Sequence, residues 1–165
     1  MRISVLLTIL ADGTKLEPYI IFNGKRNSLN IRKELDKYPV AQKKIYYSFN
    51  ENAWVTKEIM NDWFKKIWLH YLSRFDFNFE SLLVLDHATS HKDKYFMSLY
   101  FNNDVVLIII PKGLTCILQP LDTSINKPFK GGLKNLYDQY CIDNSLNYSS
   151  KVTKEKVIDF IASVV

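Results

Sequence analysis

An α/β fold is predicted by three features of this 165-residue sequence. Two short apolar runs, residues 81–86 and 105–110, flank a segment with helical spacing, the pattern of parallel strands joined by a crossover helix. A longer segment, 56–73, carries apolar residues in pairs at four-residue intervals. Near the start, two β-rich runs, residues 3–10 and 17–23, are joined through Asp12-Gly13. With 47% apolar residues and few glycines and prolines, the chain is long enough for one core and short for two. A single domain over residues 1–165 is therefore expected.

Asp12-Gly13 has the residue types of a tight hairpin turn, and Pro18, lacking a backbone donor, pushes the second run toward a sheet edge. Residues 24–44 are basic and aperiodic, the mark of a loop or insertion, and residues 45–49 form a short strand candidate. Thr56 suits a helix N-cap; beyond it Ile59, Met60, Trp63, Phe64, Ile67, Trp68, Tyr71 and Leu72 fall on one face, so this aromatic stripe reads as core. The run 81–86 ends in a carboxylate. Ser90 and Asp93 resemble a capping box, with Tyr95, Phe96, Leu99 and Tyr100 as the buried face of the helix that follows. Pro111-Lys112-Gly113 ends the next strand. Helices are then expected from near Asp122 to Asp138 or beyond and over residues 153–164, so that 141–165 is a C-terminal helical segment.

Net charge is +5, from 22 Lys and Arg less 17 Asp and Glu. Seven cations lie between Lys25 and Lys44 (Lys25, Arg26, Arg32, Lys33, Lys37, Lys43, Lys44) against Glu34 and Asp36, and seven less two is the whole excess. A concentrated basic segment favours a polyanion such as nucleic acid; a solvated loop is the alternative. Cys116 and Cys141 lack the spacing of a zinc pair and read as reduced structural residues. No apolar run approaches the roughly 20 residues of a membrane helix. The first eleven residues imitate a short signal peptide, which would make this a secreted or scaffolding domain, but the hairpin turn and the second apolar run favour a strand.

Two carboxylates stand out. Asp86 follows a buried strand at its carboxyl end, where α/β sheets place ligands, although an aspartate there also serves to cap the next turn. Asp122, in Leu118-Gln119-Pro120-Leu121-Asp122-Thr123-Ser124, has the position of a helix N-cap when taken alone. Together they have another use, since a hard divalent cation such as Mg²⁺ binds through one or two carboxylates plus water and substrate phosphates.

Val84-Leu85-Asp86-His87-Ala88-Thr89-Ser90-His91, followed by Leu118-Gln119-Pro120-Leu121-Asp122-Thr123-Ser124-Ile125-Asn126-Lys127-Pro128-Phe129-Lys130, closely resembles the DDE endonuclease domain of pogo and Tigger transposases. These are mariner-like proteins whose relatives include domesticated centromere-binding and jerky-type proteins. Asp12-Gly13, Pro18 to Gly24-Lys25 and Trp54 also match, so the resemblance covers nearly all of residues 1–140.

The resemblance implies a ribonuclease-H-like mixed sheet flanked by helices, a nuclear location, and three carboxylates holding two Mg²⁺ or Mn²⁺ ions for DNA strand cleavage and transfer. Asp86 would be the second carboxylate and Asp122 the third. His91 matches the histidine that closes the first motif, as an active-site neighbour or a local structural residue. Lys127 and Lys130 match basic residues that would contact DNA phosphates, joining Lys25, Arg26, Arg32 and Lys33. The first carboxylate belongs on a central first strand upstream of Arg2, and this strand is expected to be missing from these residues. Asp12 cannot replace it, because a hairpin turn lies at the far end of a strand roughly 25 Å long. Helix-turn-helix modules, which precede the domain in the family, are likewise not among these residues. The expectation is a truncated or domesticated domain that binds DNA through its phosphates without sequence preference, incomplete as a nuclease unless an upstream segment completes it, with that segment or another copy of the chain as the partner besides DNA.

Overall fold

A computed structural model of the protein describes residues 2–24, 44–75, 80–87, 94–147 and 151–165. The chain divides into two compact units, Met1–Trp54 with Ser124–Val165, and Val55–Thr123. The described strands form two sheets, one of three strands and one of two.

In the first unit β1 (Ile3–Leu6), β2 (Tyr19–Asn23) and β3 (Tyr46–Asn50) lie in that order. β1 and β2 are antiparallel, β2 and β3 parallel, so this sheet is mixed. The turn between β1 and β2 forms as expected: Gly13 takes a positive φ of 87° and the N–H of Leu10 donates to the carbonyl of Thr14 at 2.8 Å. Residues 3–6 are thus a paired strand, and pairing beyond them shrinks to an isolated bridge between Ile9 and Lys15. Pro18 does not send its strand to an edge. β2 is central, because Pro18 lies just before the ladder, where no donor is required, and its carbonyl accepts from the N–H of Tyr46.

Ile20 and Phe22 of β2 meet Ile45 and Phe49 beneath Ile158 and Ile161 of helix α6 (Lys154–Val164). Phe22 and Phe49 are register partners whose rings stack at 5.6 Å. Burying each of these aliphatic or aromatic side chains contributes about 1.5–3 kcal/mol. Helix α5 (Asn126–Asp143) adds Phe129 and Leu133 to the same core. It is fastened to α6 by an edge-on contact of Tyr140 with Phe160, and the Lys156 ammonium lies over both rings. Thr153 caps α6, its hydroxyl accepting from the N–H of Lys156.

The second unit opens with α1 (Lys57–Trp63), capped by Thr56, whose hydroxyl accepts from the N–H of Ile59. A π-helical turn, Phe64–Trp68, follows, and α2 (Leu69–Leu72) completes the rod. The spacing explains the π turn. Pairs recurring every four residues drift ~40° per repeat on a helix of 3.6 residues per turn, and the wider turn absorbs that drift. Ile59, Met60, Trp63, Phe64, Ile67 and Trp68 are all buried as a result, and Tyr71 and Leu72 are half-buried.

β4 (Ser81–Leu85) pairs in parallel with β5 (Val105–Ile109), and α3 (Lys94–Phe101) lies between them in the chain. Phe96 and Tyr100 of α3 are buried and Tyr100 packs edge-on to Phe64 at 5.0 Å. Tyr95, expected on the buried face, is 56% exposed. The helical stripe runs through positions 96 and 100, and a neighbouring position turns about 100° away. The two strands also depart from expectation, being covered on one face rather than two. Ser81, Leu83 and Val105 are buried, whereas the register partners Leu82 with Val106, and Val84 with Ile108, are 42–54% exposed. The expected capping pair Ser90 and Asp93 lies outside the described residues.

Candidate active site

Parallel pairing of β4 and β5 brings their carboxyl ends to one edge of the two-stranded sheet. The N–H of Ile110 donates to the carbonyl of Leu85 at 2.8 Å, which carries the ladder to the residue before Asp86. Asp86 therefore emerges at that edge, half-buried, with His87 exposed beside it. From β5 the chain turns through Pro111 and Gly113, the latter with a φ of +87°, into the short helix α4 (Thr115–Leu118).

Asp122 follows in a second π-helical turn, Leu121–Ile125. Its N–H and that of Thr123 both donate to the carbonyl of Gln119, while the Thr123 hydroxyl donates to the carbonyl of Pro120. Asp122 is exposed and lies in the same compact unit as Asp86. The helix expected to start near Asp122 instead begins in regular form at Asn126, so Asp122 sits in the irregular turn that leads into it.

Lys127 and Lys130 occupy the first turn of α5, exposed and three residues apart, hence on one side of the helix. His91, Lys25, Arg26, Arg32 and Lys33 fall outside the described residues. Asp12 is a turn residue: one of its carboxylate oxygens accepts the N–H of Thr14 at 2.8 Å, and this bond holds its pKa below the ordinary value. Cys116 and Cys141 are free thiols, the second buried.

As donors, Asp86 and Asp122 are hard oxygen ligands reachable from solvent, the type that suits Mg²⁺ or Mn²⁺. Among the described residues no group of three or more His, Cys, Asp or Glu side chains is placed to hold a metal. The donor chemistry fits such an ion, and the number of ligands among the described residues falls short of a closed site. None of the described helices is long and apolar enough to cross a membrane.

The α/β architecture and the sequence motifs around Asp86 and Asp122 are those of a transposase-type domain. The chain belongs to the DDE superfamily endonuclease family, whose sequence profile matches residues 1–165. It is similar to the mouse protein "Pogo transposable element with KRAB domain", with 28% identity over 90% of this chain and 23% of that protein. The mouse "Jerky protein" is 29% identical over 78% of this chain and 22% of its own length. The human "Pogo transposable element with ZNF domain" is 24% identical over 78% of this chain and 8% of its own. The chain thus spans less than a quarter of the length of these relatives. No solved structure is a significant match.

Proposed function

We propose that this chain is a transposase-derived DNA-binding domain in which Asp86 and Asp122 are the second and third carboxylates of a DDE site, and that it is catalytically incomplete by itself. The observation carrying this reading is the position of Asp86 at the carboxyl edge of β4, with Asp122 reached soon after the parallel neighbour β5 in the same unit. Neighbouring strands are about 4.8 Å apart, so Asp86 stands beside the end of β5, and the segment 110–121 leads from there to Asp122. Together the two aspartates would hold one or two Mg²⁺ or Mn²⁺ ions, which when bound supply a polarised phosphate and an activated attacking oxygen. The role of the protein is to fix the carboxylates and to retain the DNA through Lys127, Lys130 and the basic segment from Lys25. A nuclear location is part of the same reading.

Two features support incompleteness. Asp86 and Asp122 account for both recognisable motif carboxylates of the sequence, where a DDE site uses three. The described strands also form two sheets, with β1 at an edge of one and β4 at an edge of the other, each able to accept a further strand. The extra length of the relatives favours a second reading, that a segment upstream of these residues restores an active metal-dependent endonuclease. Supercoiled plasmid incubated with the chain and Mn²⁺ tests the proposal: it should remain uncut. Nicking that vanishes in both Asp86→Asn and Asp122→Asn would overturn incompleteness while upholding the two assigned residues.

A further inference from the structure

Three tryptophans are present, and they differ sharply in exposure. Trp63 and Trp68 are 4% and 5% exposed within the second unit, whereas Trp54 is 58% exposed at the end of a short turn after β3. An exposed indole by itself is ordinary. The backbone that carries this one is held in place. The Asn50 side chain brackets it, its carbonyl oxygen accepting the N–H of Asn52 at 3.1 Å and of Trp54 at 3.0 Å, while its amide nitrogen donates to the carbonyl of Trp54. Ala53, buried between them, takes the left-handed φ of +54° that the turn requires. A single side chain thus fixes the backbone of Trp54 on both sides, so no main-chain freedom there would be lost on binding.

The guanidinium of Arg2 lies 5.7 Å from the centroid of the Trp54 ring. Arg2 is itself tied to the sheet, its carbonyl accepting the N–H of Asn23, and the next residue, Gly24, donates to the carbonyl of Asn50. The chain continues from Gly24 directly into Lys25 and Arg26, the start of the segment that carries the whole net positive charge. The one nearby acid in the turn, Glu51, is outnumbered. An aromatic face beside a guanidinium, in a chain whose next residues after Gly24 are cationic, suits an unpaired base followed by its phosphate.

We propose that Trp54 and Arg2 form a stacking platform for an unpaired base of single-stranded DNA, with the adjacent phosphate facing the Arg2 guanidinium. This rests on the reading of the chain as DNA-binding. It adds a preference for unpaired strands, which contacts to duplex phosphates alone would not produce.

The test uses the full chain and an oligothymidylate of about 15 nucleotides, near the upper size of a single-strand binding site, beside a duplex of equal length. Because the other two indoles are buried, quenching of tryptophan emission by the oligonucleotide reports Trp54. Quenching is expected, and Trp54→Ala should weaken single-strand binding about 10-fold, in line with stacking of one base, while duplex affinity changes less than about twofold. Trp54→Phe should restore most of the lost affinity, which a purely structural role for the indole would not do. Unchanged single-strand affinity in Trp54→Ala, or an equal loss on both DNAs, overturns the platform and leaves general DNA binding intact. Failure of the unsubstituted chain to bind the duplex at low salt overturns the DNA-binding reading, and the platform with it.

Discussion

Gly131 and Gly132 are neighbours in the interior of α5, yet alanine should act on them in opposite directions. Alanine is favoured over glycine in a helix by about 0.8–1.0 kcal/mol. At Gly131 nothing lies within 4 Å of an added Cβ, so Gly131→Ala should realise that gain in full. At Gly132 the added carbon would stand 2.8 Å from Val164 Cγ1 and 3.1 Å from Cγ2. Non-bonded carbons pack best at about 3.5–4.0 Å. Val164 is β-branched and sits near the end of α6, so relief requires the helix end to move rather than a rotamer to change. Overpacking of this kind costs about 1–3 kcal/mol, which exceeds the propensity gain.

Gly132→Ala is therefore expected to lose about 1 kcal/mol while Gly131→Ala gains nearly as much. For a chain of this size each kcal/mol corresponds to a shift of about 2–4 °C in Tm. Thermal and urea unfolding followed by far-ultraviolet circular dichroism would register both. In a Val164→Ala background the penalty at Gly132 should disappear, giving a coupling of about 1–3 kcal/mol between the two positions, within the roughly 0.5–3 kcal/mol found for residues in contact. Equal stabilisation by both glycine substitutions, with no coupling to Val164, would refute the close packing of α5 on α6 from which these values follow.

Tyr100 is buried with a hydroxyl that has no hydrogen-bond partner among the described residues, and burial pushes its pKa up to about 12 from the ordinary 10.0. The folded protein thus holds this proton more tightly than the unfolded chain, and the stability linked to it is complete below pH 10.0 and is lost as pH rises toward 12. An ultraviolet titration should show one late phenol that is missing in Tyr100→Phe, and the substitution should leave stability at neutral pH unchanged or raise it by about 1 kcal/mol, since it removes a desolvated hydroxyl. A loss of more than about 1 kcal/mol would mean that the hydroxyl is bonded. For the basic segment, duplex affinity should fall with salt at a log-log slope of about −0.9 per phosphate neutralised. Replacing Lys25, Arg26, Arg32 and Lys33 together by glutamine should flatten that slope by at most about 3.6, and a response to salt that is already flat would refute phosphate binding.

Local pattern announced most of the elements. The paired apolar stripe from Ile59 to Trp68 and its Thr56 cap, the turn at Gly13, the apolar runs that become β4 and β5 and the capped helix α6 all follow from spacings within a few residues. The motif around Asp86 was equally local, and so was that around Asp122. Strand order was not. Pro18 suggested an edge, but the centre of a sheet is determined by which partners arrive from elsewhere in the chain, and β3 comes from beyond residue 44 to pair with β2. The alternating exposure of Leu82 and Val84 was hidden for a similar reason, because an unbroken apolar run looks the same whether one face or two are covered.

The contact of Arg2 with Trp54 had no signal in the letters, being made by residues far apart in the chain. The π-helical turn was implicit in a spacing of four that an α-helix cannot maintain, yet it emerges only when the whole stripe must meet one core. Periodicity, caps and turns are set by neighbours a few bonds away, so they can be read from residue order. Pairing partners, covered faces and ring contacts are set by residues that only the folded backbone makes adjacent.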